Sequence, residues 1–176
     1  MYSFDLSLFQ SIHRIAGSSL IIDTCIVFFA TWYVYIVLLV VAYFLLREHG
    51  TTGIRHSLHI LLVGLVARFT AIPALHALFH RPRPFVALQV PHLLFESSYS
   101  FPSGHTVFVC AIATALCSFN KKLALFVYLS AIVIGSARIM GGVHYPSDIL
   151  GGVVVGIVTG SVLTFLLKRL QATHRF

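Results

Sequence analysis

Acidic side chains are scarce in this sequence. Five of the 176 residues are Asp or Glu, and they are widely spaced: Asp5, Asp23, Glu48, Glu96 and Asp148. Mg²⁺ and Ca²⁺ sites are built from several clustered oxygen ligands. Only Asp148 belongs to the polar motifs described below, so the sequence predicts no metal and no cofactor.

Cysteine is also rare, with Cys25, Cys110 and Cys117 placed singly in apolar runs. We expect buried small side chains, because no partner stands at the spacing of a zinc site or a disulfide framework. The 12 Lys and Arg residues give a net charge of +7. They are divided among short loops and motifs, so nucleic acid is not an expected partner.

Apolar residues dominate what remains. The chain is 58% hydrophobic and 10% charged, with a mean hydropathy of +0.93, which is typical of a membrane protein. A spanning helix needs about 20 apolar residues. The sequence therefore predicts an all-α, polytopic transmembrane helix bundle in which residues 1–176 form a single integral membrane domain. Its five expected spans are Thr24–Leu46, Ser57–Phe79, His105–Phe119, Leu123–Met140 and Ile149–Leu167.

The third span is short. At ~1.5 Å per residue it reaches about 22 Å, so we expect its N-terminal end to lie below the membrane surface. In the second span, Pro73 is expected to kink the helix. The fifth span carries Gly152, Gly156 and Gly160, a stripe that lets helix backbones approach closely. This stripe serves either packing within the monomer or a dimer face, and the oligomeric state stays open.

Residues 1–19 have a mixed character. In the segment Tyr2–Ile15, apolar side chains recur at helical spacing, and they are Phe4, Leu8, Ile12 and Ile15. This pattern predicts an amphipathic helix that lies in the membrane interface and is too short to cross it.

Alternating spans bring three polar motifs to one membrane face: the Arg83 loop, the start of the third span and the loop before the fifth. Basic residues concentrate at the opposite face, which carries Arg47, Arg55, Lys121, Lys122, Lys168, Arg169 and Arg175. The motif face carries Arg14, Arg81, Arg83 and Arg138, and no lysine. By the positive-inside rule, the motif face is expected on the periplasmic or extracellular side.

The first motif to consider is His144-Tyr-Pro-Ser-Asp148, in which a carboxylate follows a histidine by four residues. Such a carboxylate can hold one imidazole nitrogen and leave the other as a nucleophile. The alternative is a helix cap, because Ser147 or Asp148 is a good N-cap before the apolar run.

The second motif, Pro102-Ser103-Gly104-His105, opens the third span. Free backbone N–H groups make a helix N-terminus an anion site, Ser103 adds a hydroxyl donor, and His105 can move a proton. The alternative is a plain N-cap turn.

Two arginine sites complete the set. Arg81-Pro82-Arg83-Pro84 follows the second span, and Arg138 ends the fourth. Guanidinium groups bind phosphate oxygens in pairs. Taken singly, these arginines are also explained as residues at the membrane boundary.

Together the motifs resemble the type 2 phosphatidic acid phosphatase superfamily, over residues 57–167. Its signature is Lys-x6-Arg-Pro, Pro-Ser-Gly-His and Ser-Arg-x5-His-x3-Asp. The second motif is complete here, and the third matches at Ser136, Arg138, His144 and Asp148, with one extra residue after the serine. In the first, Arg83-Pro84 is present, but His76 stands where the family has lysine.

The resemblance implies catalysis without a metal. By it, His144 is the nucleophile that forms a phosphohistidine, Asp148 orients it, and His105 protonates the leaving group and then activates water. Phosphate would be held by Arg83, Arg138, Ser103 and the Gly104 backbone. We expect His76 and Arg81 to share the role of the missing lysine.

Arg68 stands mid-span at the helical spacing of His76, two turns below it. It either pairs with a buried carbonyl or contacts the substrate.

The Arg-Pro-Phe-Val run at 83–86 resembles the undecaprenyl-diphosphate phosphatase branch, whose members recycle a cell-wall carrier lipid and can confer bacitracin resistance. The expected substrate is a lipid phosphate or diphosphate at the outer leaflet of a bacterial inner membrane. Phosphatidylglycerophosphate, phosphatidic acid and lipid A 1-phosphate are alternatives. A lipid phosphotransferase and a non-catalytic lipid-binding protein are the alternatives of another class.

Overall fold

The computed structural model describes residues 2–173, and the regular secondary structure of that range is helical throughout. Eight α-helices follow one another in the described range: α1 Tyr2–His13, α2 Leu20–Val27, α3 Tyr33–Val66, α4 Ile72–Leu78, α5 Pro84–Ala87, α6 Gly104–Leu116, α7 Lys121–Met140 and α8 Pro146–Thr173. Two π-helical turns, Phe28–Trp32 and Ala67–Ala71, join α2 to α3 and α3 to α4.

Four helical stretches of the described chain are long and apolar enough to cross a membrane: Leu20–Arg47, Thr52–Leu78, Lys121–Met140 and Pro146–Leu170. The prediction of an all-α transmembrane bundle is confirmed. The predicted third span is the 13-residue helix α6, which is shorter than the others, as expected. The first span begins at Leu20, four residues earlier than predicted, because Ser19 caps α2 by accepting a hydrogen bond from the Ile22 N–H.

Helix α3 contains a reversal that separates the first two spans. Leu38 and Leu61 line one cavity, although a straight helix would hold them far apart. At the reversal, a Cβ on Gly53 would collide with the Leu45 carbonyl oxygen, so glycine permits the close approach of the two arms. The second arm of α3 ends at Val66 and is followed by the Ala67–Ala71 π-turn, close before Pro73, whose ring has no N–H to donate.

Helix α6 is the centre of the bundle. Ten of its 13 residues are buried, because α3, α7 and α8 all pack against it. The glycine stripe of α8 faces α6: a Cβ on Gly156 would lie 2.7 Å from the Val107 carbonyl oxygen and 2.7 Å from Cys110 Cβ. Gly152 and Gly160 meet the same helix. The stripe therefore serves packing within the monomer.

Helix α1 is present, but it is more than an interfacial helix. Phe9 is fully buried and its ring contacts Tyr145, while the His13 imidazole Nδ1 lies 2.8 Å from the Met140 carbonyl oxygen. Phe4 and Leu8 remain exposed on the other side. One face of α1 thus docks on the ends of α7 and α8, at the end of the bundle that carries the polar motifs.

Candidate active site

The polar motifs meet at one end of the bundle. Arg83 Nη1 lies 3.2 Å from His144 Nε2, and the Ser103 N–H donates to the Asp148 carbonyl oxygen at 3.1 Å. The opposite end is marked by His56 and Lys168, which both contact the Phe119 ring. The alternation of spans predicted from the sequence is therefore what gathers the motifs.

The protonation of His144 can be deduced from its partners. Its Nδ1 lies 3.0 Å from the Ser100 carbonyl oxygen and 3.5 Å from Asp148 Oδ2. Since both neighbours are acceptors, Nδ1 carries the hydrogen and Nε2 keeps its lone pair. Burial, with smaller effects of Arg138 and Arg83, lowers the pKa of His144 to about 4 against the pull of Asp148. The imidazole is therefore neutral at pH 7, as a nucleophile must be.

Asp148 is completely buried and fully hydrogen-bonded. Its Oδ2 accepts hydrogen bonds from the Ser100 hydroxyl and, at 2.8 Å, from the Tyr145 N–H, while Oδ1 accepts from Arg81 Nη1 at 2.7 Å. The bond to Tyr145 caps α8 from its first turn, with Pro146 as the first helical residue. Asp148 therefore caps the helix from its third position, with Tyr145 rather than Ser147 or Asp148 as the N-cap residue, and it also faces His144.

Arg81 lies behind Asp148. Its Nη2 donates to Asp5 Oδ2 at 2.5 Å, its Nη1 donates to the Ser147 hydroxyl at 2.6 Å, and the guanidinium stacks over the Tyr145 ring, 4.0 Å from the centroid. Asp148 is contacted through the oxygen that does not face His144. These partners differ from the phosphate expected from the sequence, and they favour a positioning role.

Asp5, on α1, completes this group. Besides Arg81, it accepts hydrogen bonds from the Ser147 N–H at 2.9 Å and from the Ser147 hydroxyl at 2.6 Å. The sequence offered no signal for this contact, because Asp5 and Ser147 are 142 positions apart. The N-terminal helix is thereby joined, through Arg81 and Ser147, to the carboxylate that faces His144.

The remaining two motif arginines, Arg83 and Arg138, are both buried. Arg83 donates to the Ser98 and Val143 carbonyl oxygens at 2.7 and 2.9 Å, and burial lowers its pKa to about 10. Arg138 Nη2 donates to Glu96 Oε1 at 2.6 Å, and its buried Nε has no hydrogen-bond partner among the described residues. Both arginines therefore line one small region beside His144.

Glu96 is the counterion of that region. Its Oε2 lies 3.8 Å from Arg83 Nη2, and its other oxygen binds Arg138. Burial alone would raise the pKa of Glu96, but the charges of Arg138 and Arg83 lower it, so it is ionised. A carboxylate thus bridges the two guanidinium groups that are expected to bind phosphate.

The N-terminus of α6 supplies backbone donors and little steric bulk. Ser103 is buried, and its oxygen accepts a 3.1 Å hydrogen bond from the Thr106 hydroxyl, which leaves its own hydrogen to donate. A Cβ at position 104 would lie 2.5 Å from Arg68 Nη1, so glycine leaves room for that guanidinium at the start of α6. His105 and Arg68 line one cavity.

His76, the residue in the place of the family's lysine, is half-buried near these groups. Its Nε2 is buried and has no hydrogen-bond partner among the described residues. Within the described part of the chain, no three His, Cys, Asp or Glu side chains are grouped so that they could hold a metal ion.

Comparison with known proteins gives the same family as the motifs. The model of the PAP2 superfamily matches residues 57–171. The chain belongs to the PAP2 superfamily. It is 32% identical over 160 residues to undecaprenyl-diphosphatase BcrC of Bacillus subtilis, covering 87% of this chain and 79% of that protein.

Two solved structures of this superfamily have the same fold. Aquifex aeolicus LpxE superposes with a TM-score of 0.69 at 27% identity, over 90% of this chain and 93% of that one. A PAP2-type phosphatidylglycerolphosphate phosphatase of Bacillus subtilis superposes with a TM-score of 0.65 at 27% identity, over 99% and 88%. This PAP2 protein is accordingly a membrane lipid phosphatase.

Proposed function

We propose that this PAP2 phosphatase hydrolyses undecaprenyl diphosphate to undecaprenyl phosphate and orthophosphate through a phosphohistidine, without a metal. The observation that carries the mechanism is the environment of His144: Nδ1 faces two acceptors, and Nε2 faces Arg83 at 3.2 Å. The similarity to undecaprenyl-diphosphatase BcrC over most of both chains supports the choice of lipid.

In the first step, His144 Nε2 attacks the terminal phosphorus, and the P–O bond to the remaining lipid phosphate breaks. His105, protonated when the anionic substrate is bound beside it, gives its proton to the leaving oxygen. Arg83, Arg138, Ser103 and the Gly104 N–H hold the transferred oxygens, whose charge must be stabilised in line with attack. Bound phosphate also offsets the repulsion between the two arginines.

In the second step, His105 takes a proton from water, whose oxygen attacks the phosphohistidine. The P–N bond breaks, orthophosphate leaves, and Nε2 regains its lone pair. Asp148 and Ser100 keep the hydrogen on Nδ1 throughout. Arg81 acts through Asp148, whereas His76, with its unpartnered Nε2, contacts the phosphate. On this assignment Arg81→Ala lowers kcat and His76→Ala raises KM.

We place the site at the outer face of a bacterial inner membrane, because basic residues concentrate at the opposite end of the bundle. Arg175 belongs to that basic set but lies outside the described residues. A reporter fused after Phe176 is expected in the cytoplasm, and a reporter found outside would reverse the orientation.

Phosphate release in detergent with excess chelator tests the function. Undecaprenyl diphosphate is compared with phosphatidylglycerophosphate, phosphatidic acid and lipid A 1-phosphate. We expect release from the diphosphate, its loss in His144→Ala, and its retention in His92→Ala, an exposed histidine at the same face. An acid-labile, base-stable phosphoprotein should form only when His144 is present.

The other outcomes each correct the proposal. Preference for a glycerolipid would keep the mechanism and change the substrate. Transfer of labelled phosphate to a second lipid rather than to water would make the enzyme a phosphotransferase. Activity that disappears with chelator and returns with Mg²⁺ would contradict the metal-free mechanism.

A further inference from the structure

Arg68 is a cation in the second span that no step above uses. Its Nη1 lies against Gly104, and its side chain lines a cavity together with His105, Phe69 and Phe108. Among the described residues, no acceptor or carboxylate pairs with its guanidinium. A charge at this depth costs about 2.5 kcal/mol or more, so arginines in membrane spans normally face a partner or a ligand.

Arg68 brings a positive charge to the end of the bundle that already holds Arg83 and Arg138. Cationic side chains that converge with few counterions make a site for a multiply charged anion. Glu96 is the nearby carboxylate, and it is bound to Arg138 and Arg83. The anion that Arg68 is suited to must therefore come from outside the described chain.

The position of Arg68 shows which part of a substrate it can meet. In-line transfer puts the nucleophile and the leaving oxygen on opposite sides of phosphorus. Arg83 lies on the side of His144, at 3.2 Å. Arg68 shares its cavity with His105, the proton donor to the leaving oxygen. Arg68 therefore lies on the leaving-group side.

Lipid monophosphates and diphosphates differ on that side. In a monophosphate, the atom beyond the leaving oxygen is carbon and has no charge. In a diphosphate it is a second phosphorus, whose oxygens carry the charge that develops as the bridging bond breaks. We infer that Arg68 binds the phosphate that is not transferred, and that it makes this enzyme select lipid diphosphates over monophosphates. This inference rests on the proposed function and deepens it.

The remaining side chains that line the cavity also suit a lipid diphosphate. Beyond Arg68 and His105 it is formed by apolar side chains of the two α3 arms and α6, including Val34, Leu61 and Phe108. A diphosphate bound at the polar end can extend its hydrocarbon chain along this surface. In this position of the substrate, the second phosphate lies beside Arg68 when the first lies beside His144.

The test compares two substrates with one tail, geranylgeranyl diphosphate and geranylgeranyl phosphate, in wild type, R68Q, R68K and R55Q. Arg55 is the matched control, because it is exposed in the same span at the opposite end. Loss of one charge-assisted contact should lower kcat/KM for the diphosphate by about 10- to 100-fold in R68Q. The monophosphate should change by less than about threefold, R68K should recover part of the difference, and R55Q should match wild type.

Inhibition supplies an independent readout. Methylenediphosphonate should inhibit wild type more strongly than orthophosphate does, and R68Q should lose that difference. R68Q removes a charge from a spanning helix, so its assembly is expected to be easier than that of wild type. Equal falls for both substrates, or no fall for either, would overturn the inference. Wild type that releases phosphate from neither lipid would instead refute the proposed function.

Discussion

Asp5 in the N-terminal helix should control the rate of phosphoryl transfer although it does not touch the substrate. In Asp5→Asn, one carboxylate oxygen becomes an amide nitrogen, so Arg81 Nη2 and the Ser147 hydroxyl lose the acceptor they share at 2.5 and 2.6 Å. Arg81 then keeps its hydrogen bond to Asp148 without the support of Asp5, and the orientation of Asp148 toward His144 loosens.

The expected size follows from the hydrogen bonds removed. A hydrogen bond to a charged group contributes about 1.5–3 kcal/mol, and the Arg81–Asp5 pair is largely shielded from water. If this loss falls on the transition state, kcat declines by about 10- to 100-fold. KM should stay within about threefold, because Asp5 lies behind Asp148 and not beside the phosphate-binding groups.

Steady-state kinetics and single-turnover formation of the phosphoenzyme measure this effect. Asp23→Asn is the matched control, since Asp23 accepts a 2.8 Å hydrogen bond from the Gly17 N–H in an exposed position away from the site. Slower phosphoenzyme formation with an unchanged KM supports the relay from Asp5 to His144. A kcat within about threefold of wild type, or a KM that rises as far as kcat falls, would refute it.

Three further predictions concern charge and packing. NMR of ¹⁵N-labelled histidine should show His144 titrating near pH 4. Because the pKa of His144 is lower in the folded state than in the unfolded state, the free energy of unfolding should fall by up to about 3 kcal/mol as the pH drops from 6.5 to 4. A titration midpoint near 6.5 would contradict this. Gly156→Ala should lower the free energy of unfolding, measured by thermal denaturation, by about 1–3 kcal/mol, because the new Cβ would lie 2.7 Å from atoms of α6. The control Val154→Ala, at a lipid-facing position, should have little effect. Equal stability of the two variants would argue against the packing of α8 on α6. Glu96→Gln should tighten inhibition by orthophosphate by roughly two- to tenfold, because it removes a negative charge that competes with phosphate for Arg138. Weaker inhibition would mean that Glu96 instead holds Arg138 in place.

The sequence was sufficient for the membrane architecture and for the set of polar motifs that meet at one end of the bundle. Long apolar runs specify spans because each span satisfies its own backbone hydrogen bonds, so the information is local. The alternation of spans then places His105, Arg138, His144 and Arg83 at one end. The shortness of α6 was likewise visible as a shorter apolar run.

The sequence did not show in which direction each polar side chain points, and so which partners it contacts. Arg81 and Arg83 are two residues apart in one loop, yet Arg81 turns to Asp5 and Asp148 while Arg83 turns to His144. Nothing in their spacing distinguishes them, because the path of a loop between prolines is set by what it packs against. For the same reason, the sequence left undecided whether the glycine stripe on α8 packs within the monomer or at a dimer face, and its contact with α6 decides this.

The sequence by itself thus determined the family and which polar side chains gather at one end of the bundle, since residue type and order along the chain are enough for that. Tertiary structure alone decided which partners hold them. The contacts of Asp5 span 76 and 142 positions, and Arg68 reaches Gly104 from another helix. Such contacts arise when packing closes long loops of chain, and no local pattern of residues encodes them.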